Sequence, residues 1–118
     1  KSGWCNNTLK LTNISVSPNN KYFKLYENKM IIGKSNINEN NYEHLLFCVR
    51  NITKIVIPDF ITHISSYAFN GCNRLQRIEI SNDSKLQTID KYAFARLPIQ
   101  SIFIPSQVTH ILSDAFSW

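Results

Sequence analysis

Residues 52–74, 75–98 and 99–118 each open on an aliphatic residue followed, after two spacers, by a pair flanking one position: Ile52, Ile55, Ile57; Leu75, Ile78, Ile80; Ile99, Ile102, Ile104. Side chains alternate across an extended chain, so the last two of each trio share a face and predict a strand. Pro58 and Pro105 end the first and third strands, because proline has no N–H for a ladder. Ser81, Asn82 and Asp83 end the second with turn chemistry. A further aliphatic pair follows in each copy, Ile61 and Ile64, Leu86 and Ile89, Val108 and Ile111, and predicts a second, shorter extended segment. Ser65 or Ser66, Asp90 and Ser113 then precede Tyr67-Ala68-Phe69, Tyr92-Ala93-Phe94 and Asp114-Ala115-Phe116. Such residues cap the free N–H groups that open a helical turn, so a short helical turn is expected there.

Residues 57–69 and 104–116 share eight of thirteen letters, with Ile61 exchanged for Val108. The middle copy gains two residues between Ile80 and Leu86 and loses one after Phe94, so length changes fall in connections and the apolar ladder keeps its register. One copy cannot bury its own apolar edge. Copies therefore stack at the interstrand spacing of about 4.8 Å, alanine sitting where backbones pass closely and phenylalanine filling the space between units. The expected fold is a β-rich α/β solenoid of one main strand, a second short extended segment and a short helical turn per copy. Each buried Ile, Leu or Phe of the ladder contributes about 1.5–3 kcal/mol before chain entropy is subtracted, so each copy depends on its neighbours.

Residues 1–51 carry this pattern poorly and read as an N-terminal cap plus one degenerate repeat, the usual way to close an apolar end. Leu9, Leu11, Ile14 and Val16 alternate apart from a slip at Thr12-Asn13, and YFKLYENKMII predicts a hairpin turning near Glu27-Asn28. In NYEHLLFCVR, Tyr42, Leu45, Leu46 and Val49 have helical spacing, whereas the repeat register makes the end of the stretch extended. At the other end the last copy is unfinished at Trp118. A fragment of a longer array is the expected reason, the alternatives being cover by another chain or Trp118 folding back as a lid.

The phrase L-x-x-I-x-I-P-x-x-[IV]-T-x-I-x-x-x-A-F-x-x-C is carried by Ile57-Pro58, Thr62, Ile64, Ala68-Phe69 and Cys72 in the first copy. Ile80, Ile89 and Ala93-Phe94 carry it in the second, and Ile104-Pro105, Thr109, Ile111 and Ala115-Phe116 in the third. Residues 52–118 thereby resemble the BspA-like leucine-rich repeats of bacterial and protozoan surface proteins, notably those of trichomonads. The family's glycine after the Thr-x-Ile step is Ser65, Asp90 or Leu112 here, and only Cys72 keeps its cysteine. The resemblance implies a non-enzymatic recognition module on the cell surface or outside the cell, adhering to a protein or glycan ligand.

The chain has 118 residues, 43% hydrophobic and 18% charged, enough for one domain with a core, and its apolar runs are too short to span a membrane. No basic leader with an apolar stretch opens at Lys1, so a signal peptide was removed or never present. The net charge of +5 is scattered singly, without a basic stripe or aromatic platform, and points away from nucleic acid. Four Asn-x-Ser/Thr sequons, at Asn6, Asn13, Asn51 and Asn82, exceed the roughly two that composition gives by chance and tilt toward a secreted glycoprotein. Cys5, Cys48 and Cys72 form no C-x-x-C pair. A Cys5–Cys48 bridge is conceivable, and Cys72 reads as a free buried thiol.

Candidate chemistry is sparse. His63 and His110 hold equivalent positions, but Thr88 lies between them and sets them about 10 Å apart, with no Cys or carboxylate in their row; no metal or other cofactor is expected. Ser65, Ser66 and Ser113 lack a nucleophile elbow, and Asp83, Asp90 and Asp114 sit in turns and caps rather than paired on a face. Gly3, Gly33 and Gly71 form no phosphate loop, so no enzyme is expected. The outward column of the main strands, Lys54 and Val56, Arg77 and Glu79, Ser101 and Phe103, is the expected partner-binding surface. The alternative is an intracellular scaffold component that docks a partner through its open C-terminal copy.

Overall fold

A computed structural model describes residues 4–117. Its strands are β1 (Phe23–Tyr26), β2 (Met30–Gly33), β3 (His44–Cys48), β4 (Lys54–Val56), β5 (His63–Ile64), β6 (Arg77–Glu79), β7 (Thr88–Ile89) and β8 (His110–Ile111). Six form one sheet in the order β1-β2-β3-β5-β7-β8, and β4 pairs with β6 in a second. The pairs β1-β2 and β2-β3 are antiparallel, whereas β3-β5, β5-β7, β7-β8 and β4-β6 are parallel.

The second extended segment of each copy, expected to be the minor one, builds the larger sheet. Its bonding repeats from copy to copy: the Thr62 carbonyl accepts from Gln87 N (2.8 Å) and Thr88 N (3.1 Å), and the Gln87 carbonyl from Thr109 N (2.9 Å) and His110 N (3.1 Å). The expected main strands pair only across Lys54↔Arg77, Ile55↔Ile78 and Val56↔Glu79. Residues 101–104 form no strand. The connection leading into them is one residue short and holds Pro98, which brings no N–H, and Arg96 within it has φ 60°.

The expected helical turn is also corrected, for no helix occurs among the described residues and the fold is β without an α part. Residues 65–72 run instead as successive tight turns, Ala68 N to Ser65 O, Asn70 N to Tyr67 O and Cys72 N to Phe69 O, each at 3.1 Å. Tyr67, Tyr92 and Asp114 have φ of 63°, 59° and 59°, a left-handed step that breaks any helical run. The Ser66 hydroxyl, expected to cap such a helix, donates to Lys91 O of the next copy at 3.0 Å. Asp90 does accept from the N–H of Lys91, at 2.7 Å.

Stacking itself is in register. Ile64, Ile89 and Ile111 align on successive strands with Leu45 before them, so the ambiguous stretch around Leu45 is extended and joins the ladder. The rings of Phe69, Phe94 and Phe116 lie face to face at 5.2 and 5.3 Å. Ser81–Ser84 turns as expected, with Asp83 N donating to Ser81 Oγ at 3.0 Å.

Glu27 and Asn28, at φ 52° and 58°, make the hairpin turn between β1 and β2, and the hairpin closes one end of the large sheet. Residues 9–16 form no strand, because the slip at Thr12-Asn13 ends the alternation, but Leu11, Ile14 and Val16 still pack on the core. The expectations that concern Trp118 lie outside the described residues.

Candidate binding faces

The two sheets present different chemistry. On the smaller one the inward residues Ile55 and Ile78 are buried and the outward ones stay open. Lys54 faces Arg77 across the ladder, Val56 faces Glu79, and Arg77 reaches Glu79 at 3.0 Å. Val56 is 50% exposed and Phe103 48%, large apolar fractions among mixed charge. Ser101 and Phe103 are exposed but stand outside the ladder, so the column is two strand rungs followed by an unpaired extended segment.

The larger sheet carries a histidine row. His63, Thr88 and His110 occupy successive rungs as the repeat spacing predicts. His44 precedes them, a member that the degenerate first copy concealed, and its ring stacks on His63 at 4.5 Å and 4°. Ser35 Oγ lies 2.7 Å from His44 Nε2, and Thr62 Oγ1 2.8 Å from His63 Nδ1. Burial, and then the neighbouring charge of His63, lower the His44 pKa. Among the described residues no three His, Cys, Asp or Glu side chains gather as a metal site.

The cysteines lie where the N-terminal segment meets the first copies. All three are free and buried, so the conceivable Cys5–Cys48 bridge is not formed. The Cys5 thiol donates to Tyr67 O at 3.5 Å and that of Cys72 to Val49 O at 3.7 Å. Burial raises the pKa of Cys5, Cys48 and Cys72 and keeps the thiols neutral. Between them sits Arg50, which periodicity did not single out. It is 3% exposed and donates to Ala68 O (2.8 Å), Cys5 O (3.0 Å), Thr8 Oγ1 (3.0 Å) and Tyr67 O (3.3 Å), with its guanidinium 4.4 Å over the Phe47 ring.

A third face, on the tight turns, was also missed. Tyr67 and Tyr92 stack at 5.1 Å and stay half-exposed. The charge of Asp114, at the same position of the next copy, raises the Tyr92 phenol pKa. Beside them runs a polar furrow of about 530 Å³. Asn6, Asn13, Asn51 and Asn82 are exposed, while the Ser84 hydroxyl of the last sequon is buried and accepts from Leu86 N at 3.1 Å.

The profile of the BspA type leucine rich repeat region, a model of six copies, matches residues 2–118. The chain belongs to this family. The matched span includes the N-terminal half, where His44 and Leu45 lie in register with later copies. Neither a curated protein nor a solved structure matches the chain. No helix among the described residues is long and apolar enough to cross a membrane. Membership in a leucine-rich repeat family points to recognition of protein partners as the general role.

Proposed function

We propose that the chain is a non-enzymatic adhesion module whose stacked copies wind as a solenoid, residues 1–51 capping repeats 52–118. It binds a macromolecular ligand at the surface of its cell through Lys54, Val56, Arg77, Glu79, Ser101 and Phe103. The observation that carries this reading is the half-exposure of Val56 and Phe103 at 50% and 48%, Val56 beside the Arg77–Glu79 pair on the parallel β4-β6 ladder and Phe103 on the segment that follows it. Apolar area rimmed by Arg and Glu is what binding patches combine. The test substitutes Phe103→Ala and Arg77→Ala together and measures adhesion to host cells and matrix. Loss of at least tenfold is expected, and unchanged adhesion with an intact fold removes the column. Glycans on Asn6, Asn13, Asn51 or Asn82 of protein from its natural source support the surface location, whereas bare sequons and reduced thiols support an intracellular scaffold.

A second reading rests on the last copy. Ile111 is 48% exposed and Phe116 40%, although their counterparts Ile89 and Phe94 are buried. By the bonding of earlier copies, the carbonyls of Thr109 and Ile111 are the next to accept. An extended segment that donates to both and covers Ile111 and Phe116 completes the sheet by strand addition. Ile111→Lys abolishes co-purification of such a partner and leaves the strand column's adhesion unchanged.

A further inference from the structure

The turn face carries an aromatic row that stops one rung early. Tyr67, Tyr92 and Asp114 share one repeat position, all three in the left-handed region at φ 63°, 59° and 59°. Aspartate tolerates that conformation, whereas a tyrosine held there costs about 1–2 kcal/mol. Two tyrosines are held there nonetheless, and their rings stack at 5.1 Å and 14°. Asp114 has no ring to continue the row, so the outer face of Tyr92 is left without one.

Along the row of Tyr67, Tyr92 and Asp114 lie amides and charges. Asn6, Asn7, Asn70, Arg96 and Asp114 line the furrow of about 530 Å³, within the range of about 300–1,000 Å³ usual for small-ligand sites. Asn70 is decisive, being only 7% exposed with a side-chain amide that has no hydrogen-bond partner among the described residues. No fully buried side-chain nitrogen or oxygen lacks a partner there, so the Asn70 amide reaches solvent, and the furrow is what it lines. Solvent hydrates that amide, and a ligand that brings both donor and acceptor takes the water's place.

We propose that this furrow is a saccharide subsite, in which one pyranose ring stacks on the outer face of Tyr92 in the place of the missing third ring. A pyranose combines a C–H face that lies flat on an aromatic ring with a girdle of hydroxyls that both donate and accept. The Asp114 carboxylate accepts, the Arg96 guanidinium donates, and the asparagine amides do both. A peptide side chain is the poorer match, because the lining offers no apolar pocket around the ring. The sugar has two possible sources, an outside saccharide or the protein's own glycan, since Asn6 heads the sequon Asn6-Asn7-Thr8 and lines the same furrow.

The test is amide chemical-shift mapping on unglycosylated protein with N-acetylglucosamine, methyl α-mannopyranoside and methyl β-galactopyranoside as probes. At least one probe is expected to shift the amides of Asn70, Tyr92 and Asp114. Tyr92→Ala weakens it tenfold or more, Tyr92→Phe retains it, and Asp114→Tyr abolishes it by supplying the third ring without emptying any core position. Repeating the titration on glycosylated protein separates the sources. An outside ligand binds both forms alike, whereas a furrow that holds its own sugar binds free probe in the glycosylated form only after Asn6→Gln. Failure of every probe on both forms, equal binding by Asp114→Tyr, or shifts caused by a peptide and by no sugar overturns the proposal. The strand column belongs to the smaller sheet and not to the turns, and Tyr92→Ala leaves adhesion through it intact.

Discussion

Arg50 offers the sharpest test of what holds the N-terminal segment to the repeats. Its guanidinium is 3% exposed and faces no carboxylate, the ion pair among the described residues being Arg77 with Glu79. The charge is carried by acceptors from three parts of the chain: Cys5 O and Thr8 Oγ1 ahead of the hairpin, Cys48 O beside it, and Ala68 O and Tyr67 O from the first full copy. Arg50→Met keeps an unbranched apolar stem and removes the charge and every donor. Three acceptors keep a second donor, Ala68 O from Cys48 N at 3.1 Å, Tyr67 O from Asn70 N at 3.1 Å and Cys5 O from Thr8 Oγ1 at 2.7 Å, so these three are not orphaned. Hydrogen bonds to a charged group contribute about 1.5–3 kcal/mol each, while removal of the buried charge returns part of its desolvation cost. The balance is a loss of about 3 kcal/mol, a fall in melting temperature of roughly 12 °C for a domain of this size. Arg50→Lys discriminates further, because one ammonium on a flexible stem cannot span Cys5 O and Ala68 O together and leaves a buried charge poorly paired. It should lose at least as much as Arg50→Met in urea unfolding followed by circular dichroism. A lysine variant within about 1 kcal/mol of the parent would show that packing against Phe47, and not the fork of donors, is what Arg50 supplies.

Phe94→Ala, in the middle of the ring stack, should cost about 3–5 kcal/mol, and Phe116→Ala, 40% exposed, less than half as much; equal losses in denaturant melts would mean the row does not act as a stack. Iodoacetamide at pH 8 should leave Cys5, Cys48 and Cys72 unmodified in the folded protein and alkylate all three after unfolding, with intact mass as the readout. Because the folded His44 pKa lies below its ordinary 6.5, the unfolded chain binds more protons through that window. Stability should therefore fall as pH drops below about 6.5, against the opposing pull of Glu43 and Glu39, and His44→Gln should flatten that slope in melting temperature against pH.

The apolar ladder was legible because equivalent residues recur at nearly fixed spacing, so Ile64, Ile89 and Ile111 and the three stacked phenylalanines were placed before any coordinates. Backbone handedness was not. Serine and aspartate ahead of Tyr-Ala-Phe have the composition of a helix cap, yet the left-handed residues at 67, 92 and 114 make a chain of tight turns. The choice of main sheet was hidden for a related reason, since both extended segments carry aliphatic pairs and only the bonds from Thr62 and Gln87 show which one propagates. Arg50, His44 and Asn70 escaped because each gains meaning only from neighbours distant in sequence. The tyrosine pair could have been found, since Tyr67 and Tyr92 precede Ala-Phe identically and the break at Asp114 is visible in the letters.

The hairpin gives the array a direction of growth. β1 runs opposite to its neighbour, with Lys21 ahead of it and Lys24 within it, an outline that a tandem duplicate arriving on that side would meet with the wrong polarity. Duplicates are welcome only beyond β8, where spacing and polarity already match a unit of the same kind. A further unit of the same kind therefore joins with matched polarity on the β8 side, while the hairpin turns it away on the other.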